Sequence, residues 1–280
     1  MKFDPLPVQS LLRDYGLKPK KGLGQNFLVD DTYLQRIVEA ANVTESDEVL
    51  EIGAGLGSLT RHLAAAAGQV TAVEIDNQFF PILKKVIKDF TNVRLIQGDI
   101  MEIDSHAITS RAGYKVVANI PYYLTSNLIR RLLEAPLKPT QIALTIQKEV
   151  AQRICAEPGK MSLLSLGVQI YGKPVIAFII PSTAFYPIPG VDSALLLVNL
   201  FEQPVIPVEL LDGFFKLVKA AFMQKRKMLH NALSGAPGLG NGRAEELLSR
   251  SGIDPDRRAQ TLALQEWYLM AKNYQELGLI

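Results

Sequence analysis

Gly53, Glu74, Asp99 and Asn119 stand 21, 25 and 20 residues apart, each just after a short apolar run. The runs are EVLEI (48–52), VTAVEI (70–75), VRLIQ (93–97) and KVVANI (115–120). One strand-plus-helix unit spans about this distance, so the spacing predicts four polar groups at the carboxyl ends of successive parallel strands. That is the crevice where open α/β sheets bind ligands. Gly53-Ala54-Gly55-Leu56-Gly57 reads as the turn that opens the first helix; alone it is equally a tight strand-to-helix turn. A carboxylate at the end of the next strand suits a ribose diol, because it accepts two hydroxyl hydrogen bonds. Glu74 is therefore expected on a ribose and Asp99 on an adenine amino group; the plainer alternatives are a surface carboxylate for Glu74 and a helix cap for Asp99.

A ribose and an adenine fit NAD(H) and S-adenosylmethionine alike, and the fourth strand separates the two. It ends in Asn119-Ile120-Pro121-Tyr122, an Asn-x-Pro-aromatic pattern found in amino-group methyltransferases. The lone pair of an adenine N6 is delocalised into the ring and attacks poorly. The Asn119 side-chain oxygen and the Ile120 carbonyl offer two acceptors for the N6 hydrogens, which would turn the lone pair toward a methyl donor. Pro121 fixes its own φ and holds Ile120 extended, presenting that carbonyl. Tyr122 offers a ring on which an extruded base can stack. A sulfonium donor is already activated, so this chemistry requires neither a metal nor a strong base, and catalysis is mainly positioning.

The elements that must position these groups follow from periodicity. IALTI (142–146) adds a fifth buried strand, and SLTRHLAAAA, QFFPILKKVIKD and TSNLIRRLLEA have helical spacing between the strands. KPVIAFII and SALLLVNL, separated by a proline-rich loop, predict an antiparallel hairpin closing the sheet. The prolines of FEQPVIPVEL read as a linker, and the remainder reads as helical. The expected fold is thus α/β, a Rossmann-like parallel sheet with a C-terminal antiparallel hairpin, followed by a small all-helical domain. The expected boundaries are 1–204, including an N-terminal basic arm over 1–29, and 205–280.

The whole chain of 280 residues has 30 Lys+Arg against 28 Asp+Glu, so only the distribution of charge is informative. Two regions lean basic: one around Lys20 and Lys21, the other from Gly213 to Ala244 with Lys225, Arg226 and Lys227 and no acid. Each is either a solvated face or a surface that tracks phosphates. A lone Cys155 excludes a disulfide framework and a cysteine-rich zinc site. No apolar run approaches a membrane span, and MKFDPLPVQS has no signal-peptide core, so a cytoplasmic location is expected.

Eight blocks in order make the chain resemble the small-subunit (16S) rRNA adenine N6,N6-dimethyltransferase family (KsgA or RsmA). They are KKGLGQNFLVD, EIGAGLGSLT, VEID, QGDIM, NIPYYLTS, QKEVAQRI, PSTAFYPIPGVDSAL and KRKMLHNAL. The resemblance implies a class I methyltransferase sheet and dimethylation of two adjacent adenines near the 3′ end of 16S rRNA, within the immature 30S subunit. It implies that Asn26, Leu28, Gly53, Gly55, Glu74, Asp99 and Asn119 hold S-adenosylmethionine. It also implies that Tyr122 and Phe185 sandwich the target adenine, beside Asn119, Ile120 and Pro121. No metal is expected, and a monomer is. Ala54 stands where the family usually has proline, and Gly190 where lysine is usual. Two rivals remain open at this level: the 23S rRNA branch of the same group, and an RNA-binding assembly factor without catalysis.

Overall fold

Apolar runs without alternation suit strands covered on both faces, as in a parallel sheet. The computed structural model describes residues 3–109, 112–224, 226–240 and 242–278. Its strands are β1 Phe27–Leu28, β2 Glu48–Ile52, β3 Gln69–Glu74, β4 Val93–Gln97, β5 Lys115–Asn119, β6 Gln141–Gln147, β7 Gly172–Ile180, β8 Phe185–Tyr186 and β9 Ser193–Leu200. Among the described residues β2 to β7 and β9 form a seven-stranded sheet in the order β4-β3-β2-β5-β6-β9-β7, and β1 pairs with β8 in a separate small ribbon. The contacts β4–β3, β3–β2, β2–β5 and β5–β6 are parallel, and β6–β9 is antiparallel. The sheet is Rossmann-like, and its order reverses between β2 and β5. That reversal is where such sheets open a ligand crevice at their carboxyl ends.

Helices fill the crossovers as expected: Ser58–Ala66, Phe80–Val86 with Pro81 in its first turn, and Thr125–Glu134. One core joins Leu34 and Ile37 of the helix Asp31–Ala40 to Leu63, Val49, Val70 and Val117. The N-terminal segment differs from a basic arm. It carries a helix, Val8–Asp14, whose Val8 and Leu12 are buried in a second cluster with Phe27, Leu56, Phe79 and Ile82. With these side chains buried, the described part of the segment is packed rather than free.

The chain divides into two compact units, residues 1–151 with 174–200, and residues 152–173 with 201–280. The second unit therefore takes a segment, 152–173, that a boundary at 204 leaves in the first. The helix Leu163–Gln169 in that segment contacts the helix Leu211–Met223, and Val205 N–H donates to the Ile170 carbonyl. Within the second unit Phe222 stacks on the fully buried Trp267 at 6.0 Å.

Candidate active site

The turn after β2 is built for close approach. Gly53 and Gly55 have φ of 76° and 56°, in the left-handed region that favours glycine. A Cβ at Gly55 would also lie 3.2 Å from the Phe27 ring. The N–H groups of Gly53 and Ala54 both donate to the Val73 carbonyl, at 2.8 and 3.2 Å. A proline at 54 would forfeit the second of these bonds.

Glu74, at the end of β3, is only 5% exposed. Its Oε2 accepts from the Gly55 N–H at 2.7 Å and its Oε1 from the Asp76 N–H at 2.8 Å. Burial pushes this carboxyl upward in pKa, and the two N–H donors pull against that. Each oxygen keeps a second lone pair, and Glu74 lines the crevice together with Asp99. Asp99 Oδ1 caps the turn after β4 by accepting from the Met101 N–H at 2.8 Å. Asp99 thus caps a turn rather than a helix, and it lines the crevice as well.

The N-terminal segment closes the crevice from the other side. Asn26 and Leu28 line it, with Leu28 paired to Phe185 and Phe27 to Tyr186 across β1 and β8. The Asn119 amide donates from Nδ2 to the Asn26 carbonyl at 3.0 Å. This bond sets which way the amide points and leaves Oδ1 as the acceptor for a ligand. Ile120, Pro121 and Tyr122 follow around the same crevice, with Gly53 and Phe185. Phe185 is 2% exposed, so it forms wall rather than rim.

The Tyr122 hydroxyl lies 2.8 Å from Ser193 Oγ, at the start of β9, and Ser193 is fully buried. That bond tethers the ring. Phenylalanine at 122 would keep the stacking face but lose the tether, so it restores less than a free ring would. Ser193→Ala and Tyr122→Phe should each raise KM for rRNA about fivefold, the scale of one buried hydrogen bond. The double variant should be no worse than either. Steady-state methyl-transfer kinetics on the three proteins check this, and additive losses would refute the tether.

The sequence reading missed two groups. Glu51 is 1% exposed, lines the crevice, and leaves Oε2 without a hydrogen-bond partner. Thr60 is beside it; burial pushes the Glu51 carboxyl up to about 8, with the Thr60 hydroxyl pulling against the rise and the Glu74 charge adding to it. The available signal was a carboxylate inside an apolar strand directly before the glycine turn. The second group is Asp76, which takes the Lys20 ammonium at 2.8 Å and the Gln25 amide at 3.1 Å.

Lys20 is engaged by Asp76, and Lys21 opens a 3-10 turn, Lys21–Leu23. Arg226 and Lys227 are exposed in the turn that follows the helix Leu211–Met223. Lys225 lies outside the described residues. Lys216 is paired with Asp212 one helical turn earlier at 2.6 Å, which removes it from the acid-free face.

The model of the ribosomal RNA adenine dimethylase family matches residues 16–276. The chain belongs to that family. Relatives include ribosomal RNA small subunit methyltransferase A of Dehalococcoides mccartyi, 42% identical over 95% of this chain and 92% of the relative. The protein of the same name from Pelotomaculum thermopropionicum is 42% identical over 98% of this chain and 97% of the relative. Among solved structures, a dimethyladenosine transferase from Plasmodium falciparum superposes with a TM-score of 0.78 at 24% identity, covering 90% of this chain and 98% of that one. The 23S rRNA methyltransferase ErmE gives 0.73 at 24% identity over 89% and 99%. These two show a shared fold. As a member of the dimethylase family this protein is an rRNA adenine methyltransferase of the small-subunit type that uses S-adenosylmethionine. Among the described residues no helix is long and apolar enough to cross a membrane.

Proposed function

We propose that this dimethylase modifies two adjacent adenines near the 3′ end of 16S rRNA, at N6, within the immature 30S subunit. The observation that supports the reading most directly is the Asn119 amide, held by the Asn26 carbonyl with its oxygen left to accept. The assay that tests it compares methyl transfer to undermethylated 30S particles with transfer to 23S rRNA. Preference for 23S rRNA would transfer the enzyme to the other branch. Subunit binding without transfer would make it an assembly factor.

The crevice fits the donor on its own chemistry. S-adenosylmethionine carries an ammonium and a sulfonium, and an orphaned buried carboxylate oxygen at Glu51 suits the former. Glu74 suits the ribose hydroxyls, Asp99 the adenine amino group, and the Gly53–Gly55 turn admits the ligand close to the backbone. When bound, S-adenosylmethionine supplies a methyl group on a sulfur that is already a good leaving group. Asn119 Oδ1 and the Ile120 carbonyl accept the two N6 hydrogens and so aim the lone pair. Pro121 holds the carbonyl in place, and Tyr122 with Phe185 holds the adenine ring. Because the leaving group needs no activation, the reaction calls for no metal. In this reading residues 1–204 bind the cofactor and residues 205–280 contact RNA. Lys20 and Lys21, with Lys225, Arg226 and Lys227, supply positive charge toward phosphates. The enzyme acts as a cytoplasmic monomer.

Glu51 gives the reading a pH signature. Its folded pKa is about 8 against an ordinary 4.5, so between those values the folded chain holds a proton that the unfolded chain releases. The stabilisation from that proton is complete below pH 4.5 and lost as pH rises through 8. An ammonium beside Glu51 favours the carboxylate, so binding S-adenosylhomocysteine below pH 8 should expel up to one proton. Affinity should rise with pH by up to about tenfold per unit until pH 8. Calorimetry in two buffers of different ionisation enthalpy measures that proton. Equal heats for the wild type, or an unchanged offset in Glu51→Gln, would remove Glu51 from the ammonium.

A further inference from the structure

Tyr123 is 63% exposed and is the middle residue of the 3-10 turn Tyr122–Leu124. An isolated exposed aromatic is ordinary and proves nothing. This one differs in three respects. It lines the same crevice as Asn119 and Tyr122. Its ring is supported by backbone: Gly24, at φ 59°, comes so close that a Cβ there would lie 3.1 Å from Pro121 Cβ and 3.4 Å from Tyr123 Cδ1. And its hydroxyl makes no hydrogen bond among the described residues, whereas that of its neighbour is tied to Ser193.

Consecutive side chains in a 3-10 turn point about 120° apart. Tyr122 is therefore turned inward to Ser193 and Tyr123 outward to solvent, on one rigid turn. A target adenine in the crevice is joined by a single sugar-phosphate step to each neighbouring nucleotide. One of those neighbours must lie at the rim.

We propose that Tyr123 is the stacking platform for the base next to the target adenine, a second nucleobase subsite at the mouth of the crevice. This rests on the methyl-transfer reading above. Every base has a π-face, and a supported aromatic ring open to solvent is what unpaired bases stack on. With two adjacent adenines as substrate, the flanking base is the other target. The platform then grips one adenine while its partner is methylated, and it favours a purine by its larger stacking area. Gly24 keeps the N-terminal segment close beneath the ring without a side chain in the way.

The test uses the full chain with S-adenosylhomocysteine and a fluorescent single-stranded RNA containing two adjacent adenines. Companion RNAs carry an abasic site on the 5′ or the 3′ side of one retained adenine. Tyr123→Ala should weaken binding of the intact RNA by about 5- to 150-fold, the range for one stacked base, and Tyr123→Phe should restore it. Against one of the two abasic RNAs, Tyr123→Ala and the wild type should bind equally. S-adenosylhomocysteine affinity and Tm should not move. If Tyr123→Ala binds the intact RNA like the wild type, or loses the same factor on both abasic RNAs, the subsite is overturned. Methylation of 30S particles by the wild type is measured in parallel. Its failure would strike the reading of function, and its success with a silent Tyr123→Ala would strike the subsite alone.

Discussion

Asn119→Ala should cut the rate of methyl transfer by about 10²- to 10³-fold while the enzyme still binds S-adenosylhomocysteine. Removing one preorganised hydrogen-bond partner at a reacting group costs on that scale, about 2.7–4 kcal/mol. The structure adds a reason for the upper half of the range. Asn119 is not a free amide that happens to face the crevice; its Nδ2 is committed to the Asn26 carbonyl at 3.0 Å. The acceptor is thus oriented before substrate arrives, and no reorganisation is needed when it does. Asn119→Asp makes a sharper control, because it keeps an acceptor but loses the donor to Asn26. Its rate should fall between those of the wild type and Asn119→Ala. Single-turnover methylation of undermethylated 30S particles reads the step directly. Near-wild-type rates in Asn119→Ala would refute the lone-pair role.

Glu74→Ala should raise the Kd for S-adenosylhomocysteine by about 10- to 100-fold or more, and lower Tm as well. The first effect comes from losing charge-assisted bonds to the ribose, about 1.5–3 kcal/mol each. The second comes from the protein itself, since Glu74 satisfies the Gly55 and Asp76 N–H groups, and both lose their partner together. On the proposed reading Glu74 both holds the glycine turn and binds the ribose, so Glu74→Ala removes two interactions at once. Glu74→Gln separates the two roles, because its amide oxygen can keep one N–H while the charge is gone. It should recover part of the Tm loss with little recovery of affinity. Calorimetry and thermal unfolding check both numbers, and unchanged affinity in Glu74→Ala would take Glu74 out of the site.

The sheet was legible because its strands are short, largely apolar runs that stop at glycine or polar residues. EVLEI, VRLIQ and the run after Gly113 begin and stop within a residue or so of β2, β4 and β5, and Gly53, Glu74, Asp99 and Asn119 do meet around one crevice. Strand ends converge by topology, so spacing along the chain is enough to find them. Three things escaped that logic. The β1–β8 ribbon consists of two residues from each of two distant segments, and no periodicity can show over so short a run. The Lys20 ammonium is paired with Asp76, and only tertiary contact reveals it. The segment 152–173 joins the second unit through contacts that a reading along the chain does not show. Glu51 was visible in principle, yet a glutamate in a strand reads as outward-facing unless the opposite face is known to be covered.

The place of β9 has a consequence for how the protein is made. This strand is the last of the sheet to be synthesised, yet it lies between β6 and β7 and is paired with β6 from Gln141↔Asn199 to Gln147↔Ser193. A chain growing from its N-terminus completes β2 to β6 early, and β6 must then wait with one hydrogen-bonding edge bare. A nascent or truncated chain that stops short of residue 200 carries that edge as a template for wrong partners. One that stops before residue 193 also lacks Ser193, so Tyr122 has no tether. The bare edge of β6 and the untethered Tyr122 are both resolved by the insertion of one strand.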